Sequence, residues 1–568
     1  AMFEAAGWQT ITVKYGRRLR ELFERDGGAS LRRRIDQMPN EEFQRLLRLD
    51  VNELRDRLPG LGRGARDVRR LIGELDDDDL LRAVRDLGGH DLHDLLEAFA
   101  QADAVTDRPS VVFAYTIKAW RLATEGHPAN HAALLSEKQW RRLAVETGAD
   151  ADDPWALFAG ESPEAQLCVE TAGRLQREQE PLASVAAPPV EFGRAYQGRT
   201  STQQAFGRFF VDLSRKAPDV AARVVTVSPD VASSTSLGGW INHVGVWHVG
   251  ERIDWFADDS DTLVRWRESE HGQHIALGIA EGNLVGLLGE LGSTWSRDSQ
   301  ALLPIGTLYD PFVNRALEPW SFGMYAGGQS ILVGTPSGVT LAPEGGAHHS
   351  IITPSVGLEQ PGCIAWEPAF GQDLEWTLLY ALSRLGRPDG TSSYFRLTTR
   401  PLDQSLSRLP SDKEAREARR KSVLAGGYRL RSADGTPTIT LVGVGALMPE
   451  VCAAADQLDT ERIAYDVVCL TSPDLVFRAL RARQGLAEGS ATILDDLFPM
   501  ERAAPIVSVL DGHPHTLAFL SAIRCVPSAC LGVDDFGQSG DVEDLYRHFG
   551  IDSDTIVGAA IDLLEARS

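Results

Sequence analysis

Apolar and polar residues fall along this chain in blocks whose lengths predict its elements. A short apolar run from Thr10 to Lys14, and a longer one in "RPSVVFAYTIKAW" (residues 108–120), predict strands, the second continuous enough for a parallel sheet to bury both its faces. Between them, residues 17–104 place leucines at helical spacing among Arg, Asp and Glu, as in "NEEFQRLLRL" and "DDLLRAVRDL". The acidic run Asp76 to Asp79 reads as a helix N-terminus, where carboxylates suit the dipole. Residues 149–200 are polar and contain proline, as in "EPLASVAAPPVEF", and read as a linker over the surface.

After that linker the pattern becomes regular. It predicts a helix over "TSTQQAFGRFFVDLSRKA", a strand in "ARVVTVSPD", a helix over 272–292, a strand in "LLPIGTLYD", a helix through Phe322 and Met324, and a strand in "SILVGTPSG". A charged connection over 401–425 then leads to a third α/β unit with strands "TITLVGVG", "AYDVVCLTS", "APIVSVLDG" and "SACLGVDDFG". The fold class is therefore α/β, with parallel sheets flanked by helices in three layers in series.

One helix breaks its own pattern. In "GQHIALGIAEGNLVGLLGELG" (272–292), Ile275, Ile279, Leu284, Leu287 and Leu288 call for burial, and Glu281 stands among them with small neighbours. A carboxylate in such a place costs several kcal/mol unless its surroundings use it.

Composition narrows the classes. The chain has 568 residues, 43% hydrophobic and 24% charged, with a formal net charge of −23. That charge argues against a general nucleic-acid binder, while a few arginines still suffice for a compact anion. Six cysteines show no C-x-x-C pair and no framework spacing, which points to free thiols in a reducing compartment. No uncharged apolar run reaches the roughly 18–20 residues of a membrane span, so a soluble, cytoplasmic protein is expected.

Several motifs fail on inspection. "GVGALM" (443–448) lacks the third glycine of a dinucleotide fingerprint and reads as a strand-to-helix turn. "DFG" (535–537) has no catalytic loop to go with it, Pro128 disfavours a helical metal pair of His127 and His131, and no G-x-S-x-G occurs. What remains is a set of polar and aromatic residues at predicted strand ends: Tyr309, Asp310 and Phe312; Glu344, His348 and His349; and Glu281. In open parallel sheets ligands bind beyond the carboxyl ends of strands, so these positions are candidates to converge. Taken singly, each has a plain alternative: Glu281 as a cap or a partner of Arg265 or Arg267, His348 as an ordinary loop histidine.

"STSLGGWINHVGV", "GQHIALGIAEGNL", "LPIGTLYDPFVNRAL", "GTPSGVTLAPEGGAHHSIITPSVG", "EPAFGQDLEW" and "GVDDFGQSGDVEDLYRHFGID" together resemble the thiamine-diphosphate enzymes of the single-chain pyruvate dehydrogenase E1 type, within the transketolase superfamily. Upstream, "DLGGHDLHDLLEAFAQA" and "RPSVVFAYTIKAW" resemble the end of that family's diphosphate-binding domain, with His90 and Lys118 in the matching stretches. The resemblance implies a remainder of that domain over 1–148, the linker over 149–200, a pyrimidine-binding domain over 201–405 and a transketolase C-terminal domain over 406–568. It implies thiamine diphosphate as cofactor. Glu281 matches the glutamate that hydrogen-bonds the aminopyrimidine N1′, Phe312 the aromatic residue that stacks on that ring, and His348 the histidine facing the reacting carbons; Tyr309 and Asp310 fall in the same cofactor-binding stretch.

Two departures accompany the likeness. The family holds Mg²⁺ and diphosphate with a Gly-Asp-Gly and a later Asn, and no Gly-Asp-Gly occurs here. The chain starts about where that motif has ended, so no metal ligand is assigned to it. The Mg²⁺ ligands are expected on a separate N-terminal diphosphate-binding subunit, in preference to a truncation. Between His131 and His243 there is also no histidine to match the loop residue that E1 enzymes use with lipoamide. The expectation is a subunit that cleaves a C–C bond beside a carbonyl, by 2-oxo acid decarboxylation with acyl transfer. The alternatives are ketol transfer from a ketose phosphate, or a non-catalytic regulatory role. Arg315, Arg396, Arg400 and His349 are candidates for the substrate. Self-association as a homodimer or a two-plus-two heterotetramer is implied, with a lipoyl or acyl carrier protein as the candidate acceptor.

Overall fold

The computed structural model describes residues 1–176, 182, 185–261 and 264–566, and the chain forms two compact units, Ala1–Arg177 and Glu178–Ser568. In the first unit, helices follow one another between Arg17 and Asp103, and Leu22, Leu31, Leu54, Leu71 and Leu80 close a core among them. Asp76 caps the helix Asp77–Val84 by accepting from the Asp79 backbone N–H, as the acidic run predicts. The two apolar runs form β1 (Gln9–Val13) and β2 (Ser110–Ala114), paired in parallel from Gln9 and Ser110 onward. They make a two-stranded sheet whose β2 residues are half-buried to exposed. A strand spanning 108–120 and buried on both faces is therefore not what forms. Left-handed backbone at Ala119 and Arg121 breaks the extended run.

The stretch expected as a linker is more structured than its composition suggests. It holds a helix, Pro163–Leu175, with no buried residue. Further on, Phe192 and Tyr196 pack into the second unit, where the Phe192 N–H (2.7 Å) and the Tyr196 hydroxyl (3.1 Å) both donate to Glu375. Residues 177–181, 183 and 184 of that stretch lie outside the described residues.

The second unit is α/β. Ser201 and Gln204 form a reciprocal cap that starts α1 (Thr202–Lys216), whose Ala205, Phe206, Phe209, Phe210 and Leu213 fall on one face. Eight strands follow: β3 (Val224–Ser228), β4 (Val246–Trp247), β5 (Glu268–Ser269), β6 (His274–Ala276), β7 (Leu303–Leu308), β8 (Ile331–Gly334), β9 (Cys363–Trp366) and β10 (Ser392–Arg396). They lie in the order β9-β10-β8-β7-β3-β6-β4-β5 and pair in parallel throughout. Successive side chains on β7 and β8 go to opposite faces, so Leu303, Ile305, Ile331 and Val333 meet Phe206, Phe209 and Trp240, while Leu308 and Leu332 meet Leu284, Leu288 and Trp320.

A second sheet holds β11 (Gly427–Arg431), β12 (Ile439–Val444), β13 (Tyr465–Leu470), β14 (Ile506–Val509) and β15 (Ser528–Leu531) in the order β11-β13-β12-β14-β15. All but the antiparallel edge strand β11 are the strands that the apolar runs predict. The charged connection before it is largely a helix, Lys413–Ala425, capped by Asp412 and burying Val423.

Candidate active site

The carboxyl ends of β6, β7 and β8 carry the residues singled out in the sequence. Residues 272–292 do not form one helix. His274–Ala276 is strand β6, Gly278 turns the chain with φ +69°, and α2 (Glu281–Gly292) begins at Glu281. Glu281 is thus at the first position of the helix, where the free N–H groups favour a carboxylate, rather than midway along it. Leu284 and Leu288 are buried as expected, but Ile279 lies in the turn and is 76% exposed.

Glu281 is 7% exposed, and among the described residues its one polar contact is Arg315, with Nη1 3.5 Å from Oε1. That distance is at the limit of a hydrogen bond, and the Arg315 side chain is 59% exposed. Arg265 and Arg267 are not its partners. Arg315 is on α3 (Val313–Tyr325), one turn after Phe312, and its guanidinium lies 4.2 Å from the Phe312 ring centre. Tyr309 stacks on the same ring with centroids 6.3 Å apart and anchors its hydroxyl to Ser234 Oγ at 3.0 Å. His348 meets Phe312 edge-on at 5.7 Å, and its Nε2 is 3.8 Å from Glu344. Glu281, Phe312, Tyr309, His348 and Arg315 therefore come together at one strand-end slot.

Four other candidates are engaged elsewhere. The Asp310 carboxylate turns inward, fully buried, onto Arg396 (3.1 Å), Thr353 (2.6 Å), Ser350 and Tyr394. Arg396, expected near a donor phosphate, is 2% exposed and spends its other nitrogens on Glu367 (2.8 Å) and the Asp511 carbonyl (3.0 Å). Arg400 donates to the Ala446 carbonyl and Glu450 and lies over the Tyr546 ring. His349 is buried, with Nε2 3.1 Å from the Leu341 carbonyl oxygen and Nδ1 unpartnered, and burial lowers its pKa. Strand-end position alone did not tell which of these polar residues point out and which point in.

Sequence reasoning also missed Glu367 and Asp511. Both follow strands, in "WEP" after β9 and "LDG" after β14, which is the one signal they offered. Burial raises the Glu367 pKa and pushes the Asp511 carboxyl up to about 7, with Arg396 opposing both shifts. In the first unit, His90 stacks flat on Trp120 (4.2 Å, 9°), accepts from the Ile117 N–H at 2.7 Å, and has its pKa lowered by burial. Lys118 reaches His131 Nδ1 and lines a cavity of about 390 Å³ with Lys14, Tyr15, Asp36 and Tyr115.

The parallel sheets flanked by helices have the architecture of the transketolase-type, thiamine-diphosphate-binding folds. Residues 191–400 match the pyruvate dehydrogenase E1 component middle domain, and residues 426–552 the transketolase-like C-terminal domain. The chain has the fold of the transketolase/pyruvate dehydrogenase E1 superfamily over these middle and C-terminal domains. It is 25% identical over 606 residues to the pyruvate dehydrogenase E1 component of Mycolicibacterium smegmatis, covering 99% of this chain and 62% of that protein. The Escherichia coli K12 component is 24% identical over 600 residues, covering 100% and 65%. Among solved structures, transketolase from Pichia stipitis in complex with sedoheptulose 7-phosphate aligns with TM-score 0.62 at 17% identity, covering 84% of this chain and 66% of that one. Transketolase from Leishmania mexicana aligns with TM-score 0.60 at 16% identity, covering 84% and 65%. The chain thus spans less than two thirds of the length of these curated relatives. No helix among the described residues is long and apolar enough to cross a membrane.

Proposed function

We propose that this chain supplies the aminopyrimidine-binding half of a thiamine-diphosphate-dependent transferase that cleaves a carbon–carbon bond beside a carbonyl. The observation that carries this reading is Glu281, a buried carboxylate that among the described residues is met by one long contact, from an exposed arginine, next to the Phe312 ring. Leaving such a group thinly satisfied costs about 1–3 kcal/mol, a cost that a ligand donor removes. The residues of the slot fit the flat, nitrogen-bearing end of the cofactor.

When bound, thiamine diphosphate supplies a nucleophilic carbon and a sink for the electrons of the broken bond. Glu281 would hydrogen-bond the aminopyrimidine N1′ and share its proton. Phe312 would give that ring a face to stack on, with Tyr309 stacked beside Phe312. His348 presents an imidazole across the slot, placed to donate a hydrogen bond to charge developing on a substrate oxygen. In this reading residues 201–405 are the pyrimidine-binding domain and 406–568 the C-terminal domain. The diphosphate and Mg²⁺ ligands are supplied by a diphosphate-binding part outside these 568 residues, the assembly contains two copies of this chain, and a carrier protein serves as acceptor. All six cysteines are free, which suits a reducing cytoplasm.

Of the two donor classes we favour a ketose phosphate, with ketol transfer, over a 2-oxo acid. Of the three arginines considered for a phosphate, Arg315 alone has an exposed guanidinium at the slot. Glu281→Gln in the assembled enzyme, assayed with thiamine diphosphate, Mg²⁺ and either donor, should lower turnover by about 10²–10⁴-fold and leave the melting temperature of the chain in place. Unchanged turnover would overturn the catalytic reading in favour of a scaffold.

A further inference from the structure

Beneath the slot lies a hydrogen-bond hub that the proposed chemistry does not use. Asp310 precedes Phe312 by two residues, and its buried carboxylate accepts from Ser350 Oγ, Thr353 Oγ1, Tyr394 OH and Arg396 Nε. Ser350 follows His348 by two residues, and its hydroxyl oxygen also accepts from the Gly338 N–H at 2.8 Å. One hydroxyl therefore links the turn bearing Phe312, the loop bearing His348 and the turn at Gly338.

The second sheet closes the ring. Asp511, just past β14, accepts from the Val339 N–H with both carboxylate oxygens (2.9 and 3.0 Å), and its carbonyl accepts from Arg396. Two glycines make room for these carboxylates. A Cβ at Gly334 would collide with Asp310 Oδ1, and one at Gly338, whose φ is +55°, would collide with the Asp511 carboxylate.

Buried ion clusters are poor stabilisers compared with apolar packing, because desolvation offsets their attraction. What a fully satisfied cluster supplies is a fixed geometry. We propose that Asp310 is a positioning residue, tying the Phe312 turn to the His348 loop through Ser350 so that the spacing across the slot is set from beneath. This rests on the functional reading only for what the slot holds. The tie itself belongs to the chain without cofactor.

The test uses the full chain without cofactor and reads two signals. One is amide hydrogen exchange across residues 309–314 and 346–353. The other is the His348 imidazole resonance, displaced by the ring current of Phe312 5.7 Å away. Ser350→Ala should speed exchange in both segments about tenfold or more, as expected of a locally released loop, and move the His348 resonance toward its free value. Strand β13 should exchange as before, and Ser350→Thr, which keeps a hydroxyl, should restore both signals. Asp310→Asn should act in the same direction, and if it exchanges everywhere through global unfolding, Ser350→Ala decides. Unchanged exchange over 309–314, or a stationary His348 resonance, overturns the proposal. A positive result alongside unchanged Glu281→Gln turnover would keep the tie and remove the functional reading.

Discussion

Arg396 and Arg315 each meet a carboxylate near the carboxyl ends of the same parallel sheet, and the two pairs are built in opposite ways. Arg396 and Asp310 are sealed from solvent at 3.1 Å, with Glu367, Ser350, Thr353 and Tyr394 completing their hydrogen bonds. Arg315 and Glu281 approach only to 3.5 Å, and the arginine is mostly in water. The first pair has little capacity left for a ligand. The second keeps a buried acceptor within reach of one, and replacing the weak arginine contact requires little. Residue type does not separate a closed ion pair from an open one here; satisfaction does.

The largest effect that this contrast predicts is on stability. Arg396→Met removes the cation and leaves Asp310 and Glu367 facing each other in the interior, a change that costs about 3–5 kcal/mol in buried pairs. Denaturant unfolding of the full chain, followed through its second unit, measures it. A loss below about 1 kcal/mol would mean that the sealed pair is no more than a surface one, and the comparison would fail.

The same contrast explains what was legible in the sequence. The strand order brings β6, β7 and β8 close together, so Glu281, Phe312 and His348 meet as strand-end residues of parallel sheets do. The apolar runs marked β7, β8 and the strands β12 to β15, because strands buried on both faces need continuous hydrophobicity. Asp310 and Arg396 turn inward although their strand-end positions predict an outward face, because a polar residue there turns inward when something receives it. The receivers, Ser350, Glu367 and the space beside Gly334, are far away in sequence. The spacing of Ile275 and Ile279 predicts Glu281 interior to a helix; the turn at Gly278 interrupts that spacing, and Ile275 belongs to a strand pairing with Val227. In the first unit, the run over 108–120 carries the hydrophobicity of a central strand, yet only Ser110–Ala114 pairs.

A second prediction sharpens the sealed side. The Asp511 carboxyl is raised to about 7 by burial, against the pull of Arg396, with Glu367 and Asp310 adding to the rise. A carboxyl raised on folding is protonated in the folded chain while its unfolded counterpart, near 3.9, is already ionised. Stability from this group is therefore greatest below about pH 4 and falls as pH rises toward about 7, at up to about 1.4 kcal/mol per pH unit. Asp373 and Asp474, each raised by burial to about 6, slope the same way. Asp511→Asn should remove one proton's share of that slope, so its stability relative to the parent rises between pH 4 and pH 7. Parallel pH profiles for the two chains would show that Asp511 is ionised throughout and that the cluster carries its full charge.

The smallest stability change belongs to the open pair. Arg315→Met removes an exposed cation whose contact with Glu281 is already at the limit of a hydrogen bond, so the fold should lose less than the sealed pair does, about 1–3 kcal/mol for a buried carboxylate left without a partner. In the proposed reaction its kinetic effect depends on the donor. If the guanidinium receives a donor phosphate, losing that charge-assisted hydrogen bond is worth about 1.5–3 kcal/mol, roughly 10- to 150-fold in KM for a ketose phosphate, with kcat little changed. A 2-oxo acid, which has no phosphate, should keep its KM. Equal shifts for both donors would place Arg315 with the cofactor instead, as the group that covers Phe312 and Glu281 until the aminopyrimidine takes that position. The open pair would then act as a placeholder, and its long 3.5 Å contact would reflect how readily it has to be displaced.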